Sequence, residues 1–204
     1  MSVDGITVFV IDDDASVRRG LARLLRAADW NVEAFATAAE FLQRPQFMGT
    51  GCVVLDIRMP GMSGPELHER MSREGCSLPI IFLTGHGDVP SGVRAMKQGA
   101  VDFLLKPVDD HVLLEAIRQA VSRHAAEREK AAQQGEIQAR IARLSPRELE
   151  VMKHVIQGKI NKRIAADLGI AEKTVKTHRG EVMEKMAAGS VAELVRLCEA
   201  AGIK

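Results

Sequence analysis

The sequence lacks several features that would assign it to a membrane, secreted or nucleotide-binding class. No uninterrupted apolar run approaches the 18 residues of a membrane-spanning helix. The first stretch, MSVDGITVFVIDDD, has no basic leader and no small-residue cleavage site, so we expect no signal peptide. The P-loop motif GxxxxGK[ST] and internal repeats are also absent. The three cysteines are widely spaced, without CxxC or Cys/His metal spacing, and indicate reduced thiols in a cytoplasmic protein.

The charge is distributed unevenly along the 204 residues, although the net charge is only +1. Residues 1–121 contain 12 Lys and Arg and 16 Asp and Glu, a net charge of −4. Residues 122–204 contain 16 and 11, a net charge of +5. An acidic first part and a basic second part indicate two modules, of which the second suits a polyanionic partner.

Short apolar runs alternate with helix-like stretches in the first part of the chain. The runs are rich in β-branched residues, which predicts strands of a parallel sheet that helices cover on both faces. The five runs are VFVI (8–11), NVEAF (31–35), CVVL (52–55), PIIFL (79–83) and VDFLL (101–105). Five such units predict an α/β domain with a doubly wound, five-stranded parallel sheet.

The pattern changes in the second part of the chain. The stretch SRHAAEREKAAQQGEIQARIAR is rich in Ala, Gln, Glu and Arg, which predicts a helical linker that either continues through Gly135 or breaks there. After it, a capping box formed by Ser145 and Glu148 opens the first of four predicted helices. The predicted organisation is an α/β domain over 1–121, a helical linker over 122–143 and an all-α domain over 144–204.

Polar side chains follow four of the predicted strands. They are Asp12, Asp13 and Asp14 after the first strand, Asp56 after the third, Thr84 after the fourth and Lys106 after the fifth. The carboxyl ends of parallel strands share one edge of the sheet, so we expect these groups to meet there. Asp14 is expected to cap the following helix instead of binding a ligand.

An edge with several aspartates needs positive charge. Two carboxylates about 4 Å apart repel by about 4 kcal/mol at an effective dielectric constant of 20. Lys106 supplies one positive charge, and all-oxygen ligands suit Mg²⁺ as a second. A carboxylate can also accept a phosphoryl group, whose oxygens Mg²⁺, Lys106 and Thr84 would stabilise. The edge therefore predicts a phosphoryl-accepting magnesium site.

The set Asp12-Asp13, Asp56, Thr84 and Lys106-Pro107 resembles the receiver domain of two-component response regulators. The resemblance covers about residues 4–121, and LTGHGDVPSGVRAMKQGAVDFLLKPV (83–108) is especially similar to the FixJ-like group. It implies a CheY-like, flavodoxin-like fold with Asp56 as the phospho-acceptor. It also implies that Asp13, Asp56 and the backbone carbonyl of Arg58 bind Mg²⁺ directly, whereas Asp12 acts through water.

The same resemblance implies how the receiver switches. Thr84 and Phe103 resemble the switch pair, in which the hydroxyl moves toward the phosphoryl group and the ring turns inward, and Lys106 binds the phosphoryl group. A cis peptide bond is implied at Lys106-Pro107. The dimer surface would be on the helix over about 89–98, with Val89, Val93 and Met96 as candidates.

The stretch from residue 144 to 186 contains a helix, a glycine turn and another helix in a short compass. Helix-turn-helix modules insert their second helix into the major groove, and here that helix is predicted to begin near Glu172. Its inward face would consist of Val175, Val182, Met183 and Met186. Basic and hydroxyl side chains suit phosphates and base edges. The predicted DNA-binding residues are Asn161, Lys162, Lys173, Thr174, Lys176, Thr177, His178 and Arg179.

This region, about 144–200, resembles the LuxR-type helix-turn-helix through LSPRELEV, INKRIAADLGIAEKTVKTHR and AELVRL. The resemblance implies base contacts at Lys176 and Thr177. A further position that reads bases in relatives is Gly180 here, and glycine has no side chain with which to read them.

The two resemblances together predict a transcription factor of a two-component system. A sensor histidine kinase would phosphorylate Asp56, and the homodimer formed on phosphorylation would bind promoter DNA and act on RNA polymerase. No membrane partner is expected, and the protein would not be an enzyme beyond its own phosphorylation and dephosphorylation.

Two alternatives stay open at the level of the sequence. One is a receiver whose output is protein binding, against which the +5 charge of residues 122–204 argues. The other is a phosphatase with an aspartyl-phosphate intermediate. A haloacid-dehalogenase enzyme would require DxDx[TV], and the stretch DIRMP at 56–60 lacks its second aspartate.

Overall fold

The computed structural model describes residues 5–85 and 102–203, and the chain divides into two compact units between Arg128 and Glu129. The described elements of the first unit are β1 (Ile6–Ile11), α1 (Ala15–Ala27), β2 (Asn31–Phe35), α2 (Ala38–Gln43), β3 (Thr50–Asp56), α3 (Gly64–Arg73), β4 (Ile80–Thr84), β5 (Asp102–Leu105) and the first part of α4 (Asp110–Ile141). The five predicted strands are confirmed, with ends shifted by two residues at most.

The strands form one sheet in the order β2-β1-β3-β4-β5, and all neighbours are parallel. Side chains alternate between two cores, as expected for a strand buried on both faces. In β1, Val8 and Val10 pack with α1 and α4, whereas Phe9 and Ile11 pack with α2 and α3. The predicted doubly wound α/β sheet is confirmed.

Short polar signals begin several of the helices. Asp14 caps α1 by accepting hydrogen bonds from the backbone N–H groups of Ser16 and Val17. Ser63 and Glu66 form a capping box at α3, and the predicted box of Ser145 with its glutamate is confirmed. These bonds satisfy N–H groups that have no partner within the first helical turn.

Thr37 and Ser190 also cap helices, but without a complete capping box. They accept from the N–H groups of Glu40 and Glu193. The return bond, however, goes one residue further back: the Glu40 carboxylate accepts from Ala36, and that of Glu193 accepts from Gly189.

Helix α4 is continuous through Gly135, so the chain does not break there. A Cβ atom at that position would meet nothing within 4 Å. Residues of the predicted linker up to Arg128 belong to the first unit, and those from Glu129 onward belong to the second. Domain boundaries at 121/122 and 143/144 stay a prediction.

The second unit is built from the rest of α4 and four shorter helices. They are α5 (Pro146–Ile156), α6 (Asn161–Leu168), α7 (Glu172–Lys185) and α8 (Val191–Ala200). Their core contains the predicted inward face of α7, with Val175, Val182 and Met186 buried and Met183 packed against them, and it also includes Ile137 of α4. The four-helix prediction is confirmed. Over residues 5–85 and 102–203, no helix has both the length and the apolar character that a membrane crossing requires.

Candidate functional sites

Asp56 is the last residue of β3, in the middle of the sheet, and lies at its carboxyl edge. Asp12 follows the neighbouring strand β1, Thr84 ends β4, and Lys106 follows β5. Since β1, β3, β4 and β5 are consecutive neighbours, the strand order brings these four groups to adjacent positions. The edge predicted from the sequence therefore forms.

Lys106 bridges the two central aspartates. Its Nζ atom lies 2.6 Å from Oδ2 of Asp12 and 2.6 Å from Oδ1 of Asp56. Its backbone N–H donates to the carbonyl oxygen of Thr84 at 2.6 Å. The following peptide bond, Lys106-Pro107, is cis, as the family resemblance implied. One ammonium group thus holds carboxylates from two strands.

Burial and charge act against each other at this site. Asp12 is 1% exposed and Asp56 is 7% exposed. Burial raises the pKa of Asp56, and the hydrogen bond from Lys106 opposes this rise without reversing it. Burial alone would lower the pKa of Lys106, but the bonds to Asp12 and Asp56 outweigh it and raise that pKa. The charged form of Asp56 therefore depends on nearby positive charge.

The other carboxylate oxygens of the two aspartates face backbone N–H groups. Oδ1 of Asp12 accepts from Asp14 N–H at 2.9 Å, and Oδ2 of Asp56 accepts from Arg58 N–H at 3.1 Å. The guanidinium of Arg18 donates to the carbonyl oxygen of Asp12 at 2.6 Å. Sequence reasoning missed Arg18, because no local pattern distinguishes it from the other arginines of α1.

Asp14 acts as a helix cap, in agreement with the prediction. Its Oδ1 accepts from the Ser16 N–H at 2.7 Å and from the Ser16 hydroxyl at 2.6 Å. These bonds hold the pKa of Asp14 below its ordinary value. Asp14 therefore already has partners at the start of α1.

Asp13 is exposed and lines an open surface cavity together with Arg58. The donor set beside this cavity consists of oxygens, with three aspartates against one ammonium group, which fits a hard divalent cation such as Mg²⁺. The carboxylate oxygens of Asp12, Asp13 and Asp56, all described residues, do not lie together within 4.8 Å. The predicted ligands are thus adjacent but not gathered around one point.

Thr84 and Phe103 belong to different surroundings. Thr84 is buried, and its Oγ1 donates to the carbonyl oxygen of Gly85 at 3.3 Å. Phe103 is half-buried and packs against the core on the α2 and α3 face of the sheet. Their role as a switch pair stays a prediction. The predicted dimer-surface residues Val89, Val93 and Met96 lie outside the described residues.

The second unit has the predicted helix-turn-helix arrangement. Helix α6 ends at Gly169, whose φ of 66° is in the left-handed region that favours glycine. Helix α7 follows from Glu172 and buries Val175 and Val182. Its exposed face carries four of the predicted DNA-binding residues, Lys173, Thr174, Lys176 and Thr177, and Lys162 of α6 is also exposed.

The remaining predicted DNA-binding residues have partners within the unit. Arg179 donates to the side-chain oxygen of Asn161 at 2.9 Å, which connects α7 to the start of α6. The imidazole of His178 lies 3.1 Å from the carboxylate of Glu181, one turn further along α7. The Arg179 contact therefore fixes α7 against α6, and the His178 contact lies within α7.

A buried ion pair connects α5 and α7. Both carboxylate oxygens of Glu148 lie near Nζ of Lys185, at 2.6 and 2.7 Å. One of them also accepts from the Ser145 N–H at 2.8 Å. The bond from Lys185 lowers the pKa of Glu148 to about 2. Sequence reasoning assigned Glu148 to a cap but missed Lys185, which is 37 residues away in the chain.

Comparison with known proteins identifies a family for each part of the chain. Residues 8–118 match the family described as "Response regulator receiver domain", and residues 142–198 match "Bacterial regulatory proteins, luxR family". The chain belongs to the response regulators that combine a receiver domain with a LuxR-type DNA-binding domain. Members of the receiver family generally bind Mg²⁺ at the phosphorylation site.

The chain is similar to full-length regulators of this type. It is 48% identical to Nodulation protein W of Bradyrhizobium diazoefficiens over 196 residues, covering 96% of this chain and 86% of that protein. It is 47% identical to the transcriptional regulatory protein FixJ of the same organism over 198 residues, covering 96% of each. The solved response regulator StyR superposes with a TM-score of 0.88 at 47% identity, covering 96% of this chain and 98% of that one.

These relatives confirm the FixJ-like resemblance and the class of function. The chain is a two-component response regulator of transcription, and its family is not a family of enzymes in the usual sense. Partners of the receiver and DNA-binding domains are a kinase and DNA, respectively. The phosphatase alternative therefore loses its support.

Proposed function

We propose that Asp56 is the phospho-acceptor through which a sensor histidine kinase controls DNA binding by the second unit. The observation that carries this proposal is the position of Lys106 Nζ, 2.6 Å from carboxylate oxygens of both Asp12 and Asp56. A phosphoryl group on Asp56 would add negative charge beside the only ammonium group that the described residues bring to this edge. That charge gives Lys106 a stronger partner and biases the local structure toward a second state.

In the transfer step, a carboxylate oxygen of Asp56 attacks the phosphorus of a phosphohistidine. The phosphorus–nitrogen bond breaks as the phosphorus–oxygen bond forms, and the imidazole nitrogen keeps the electron pair and takes up a proton. Lys106 and Thr84 would bind oxygens of the transferred group. Asp13, Asp56 and the Arg58 carbonyl, with Asp12 through water, would hold Mg²⁺, which would neutralise part of the negative charge of the transferred group.

Phosphorylation would act on DNA binding through Thr84 of β4 and Phe103 of β5. Thr84 would move toward the phosphoryl group, and the ring of Phe103 would turn inward. A homodimer through Val89, Val93 and Met96 would then place two α7 helices on half-sites about one helical turn apart. The protein would act in the cytoplasm, where promoter DNA and RNA polymerase are found.

The acceptor is tested by the mass of the intact protein after incubation with Mg²⁺ and acetyl phosphate. We expect one added phosphoryl group in the wild type and none in Asp56→Asn. Asp14→Asn is the matched control, because asparagine also caps helices well and Asp14 is not an acceptor. A phosphoryl adduct on Asp56→Asn would contradict the assignment. An adduct that is lost in Asp14→Asn but kept in Asp56→Asn would also contradict it.

The DNA-binding surface is tested with Lys176→Ala and Thr177→Ala on exposed positions of α7. We expect weaker binding to a cognate promoter fragment, by about 1–3 kcal/mol for a base contact. Lys153→Ala, at an exposed position on α5, is the control. Equal binding by all three variants in a gel shift would remove α7 as the recognition helix.

A further inference from the structure

His124 is a buried polar residue that the phosphorylation chemistry does not use. It is 2% exposed and lies on α4. It is also the last buried residue of the first unit, because residues 125–136 include none. Its Nδ1 atom accepts from the backbone N–H of Gly51 at 3.2 Å, and its Nε2 atom lies 3.3 Å from the hydroxyl of Ser77.

The strand pairing explains why β3 needs a side-chain partner at this point. The N–H of Val53 points toward β4 and donates to the Pro79 carbonyl at 2.9 Å. Alternation along the strand sends the N–H of Gly51 to the same side, but β4 begins only at Ile80, opposite Val53. The Gly51 N–H therefore lies beyond the start of β4, and the imidazole of His124 supplies the missing acceptor.

Gly51 fits this position because nothing larger does. A Cβ atom there would lie 2.2 Å from the carbonyl oxygen of Thr7, on the other neighbouring strand β1. The backbone of β3 is therefore closely packed on its β1 side. On its β4 side it is held by the ring of His124.

The two contacts define the protonation state of the ring. Since Nδ1 accepts from an N–H group, the single proton of the neutral ring is on Nε2 and is donated to Ser77 Oγ. A proton on Nδ1 as well would point at the Gly51 N–H and remove that hydrogen bond. The contact to β3 therefore exists only while the ring is neutral.

The charged groups around His124 do not favour a proton on it. Burial lowers its pKa, and the nearby Arg128 guanidinium lowers it further. Glu127 acts in the opposite direction, but it is paired with Arg123 at 2.8 Å. The cavity beside the ring is also lined by titratable or charged groups from the segments that follow α2 and α3, namely Arg44, Glu74 and Cys76.

We propose that His124 is a proton-sensitive latch that fixes α4 to the amino end of β3, the strand whose carboxyl end carries Asp56. The latch is closed when His124 is neutral and opens when it is protonated. This inference concerns the anchoring of α4 alone, so it holds or fails independently of phosphorylation and DNA binding.

The pH range follows from the direction of the pKa shift. A group whose pKa is lowered by folding stabilises the folded state fully above its ordinary pKa, here 6.5. That stabilisation is lost as the pH falls through the lower, folded-state value. The latch is therefore fully stabilising at neutral and alkaline pH and weakens progressively as the pH falls below 6.5.

The test is hydrogen exchange of the full-length protein at about pH 8 and about pH 5.5, on either side of the ordinary histidine pKa. We expect the protection factors of residues 122–134, corrected for intrinsic exchange rates, to fall several-fold at the lower pH. In His124→Asn the fall should be absent, because the Asn oxygen can accept from Gly51 N–H and does not titrate in this range. His111→Asn, at an exposed position on the same helix, should keep the wild-type response.

A pH response of His124→Asn equal to that of the wild type would overturn the proposal, as would a wild type without any response. Nitrogen-15 NMR of the imidazoles of the wild-type protein gives a second test, which does not depend on whether a variant folds. It should show His124 as the Nε2–H tautomer at about pH 8. The Nδ1–H tautomer would contradict the contact with Gly51.

Discussion

At Lys106, one ammonium group contacts two buried carboxylates that come from different strands. Replacing it with methionine keeps the volume of the side chain but leaves Asp12 and Asp56 facing each other. We expect Lys106→Met to lower the free energy of unfolding by about 1–3 kcal/mol at pH 7, as for a charged partner lost from a buried hydrogen bond. Urea unfolding followed by circular dichroism measures it.

The control for this prediction is Lys130→Met, at an exposed position on α4. A surface change of this kind should alter the free energy of unfolding by at most about 0.5 kcal/mol. Because the pKa of Lys106 is raised, its stabilisation is complete below the ordinary value of 10.5 and is lost as the pH rises through the folded value. Equal stability of the two variants would show that Lys106 does not hold this edge together.

In the second unit, the buried carboxylate of Glu148 is paired with Lys185. Its pKa of about 2 means that its stabilising contribution is present above the ordinary value of 4.5 and is lost as the pH falls through about 2. Glu148→Gln removes the ion pair with Lys185 and should destabilise the second unit by about 1–3 kcal/mol. This destabilisation should shrink as the pH falls from 4.5 toward 2, because the wild type progressively loses the same stabilisation.

Thermal unfolding across pH 2 to 7 compares Glu148→Gln with Glu150→Gln. Glu150 is on the same helix and makes a solvent-exposed pair with Arg147 at 2.8 Å. Exposed pairs contribute about 0–1 kcal/mol, so this variant should stay close to the wild type. The prediction is wrong if the two variants lose the same stability at pH 7.

At the scale of elements, Gly180 is the unusual residue of α7. It lies within α7, and a Cβ atom there would meet nothing within 4 Å. Glycine is less favourable than alanine in a helix by about 0.5–1 kcal/mol. We therefore expect Gly180→Ala to raise the free energy of unfolding of the second unit by that amount, measured by thermal or urea unfolding.

Gly169→Ala is the opposite case and serves as the comparison. The φ of 66° at Gly169 strains any residue with a Cβ, so this substitution should destabilise the unit. A destabilising effect of Gly180→Ala would contradict this prediction. DNA affinity of the same variant then shows whether the missing side chain was compensated by a close approach to the groove.

The sequence defined most elements because their signals are local. Periods of two and of about 3.6 residues, together with Asp14, Ser145 and Gly169, indicate strands, helices and their ends within a few neighbouring residues. Helix α4 differs, because its composition is compatible with both a continuous helix and a break at Gly135. In the structure the helix is continuous. His124, before Gly135, contacts Gly51, and Ile137, after it, belongs to the core of the second unit.

At the scale of the whole molecule, each unit has a hydrophobic core of its own. The second unit should therefore fold without the first, and residues 122–204 include all of it. If the unphosphorylated receiver restrains the second unit, a chain without residues 1–121 should bind promoter DNA more tightly than the unphosphorylated full-length protein. Gel shifts at several salt concentrations measure both affinity and its ionic part.

Acetyl phosphate provides the complementary arm of the same experiment. Phosphorylated full-length protein should approach the affinity of the shortened chain, and Asp56→Asn should not respond. Equal affinity of the shortened chain and the unphosphorylated full-length protein would argue against restraint. Activation would then have to come from dimerisation alone.

The sequence by itself determined the class of this protein. Strand ends that carry Asp12, Asp56, Thr84 and Lys106 meet in any doubly wound parallel sheet, because parallel strands align their carboxyl ends. The tertiary structure decided which charges touch. The contacts of Lys106 with two aspartates, of Lys185 with Glu148 and of His124 with Gly51 join residues 37 to 94 positions apart. Such contacts depend on the complete packing of the chain, which no local pattern contains.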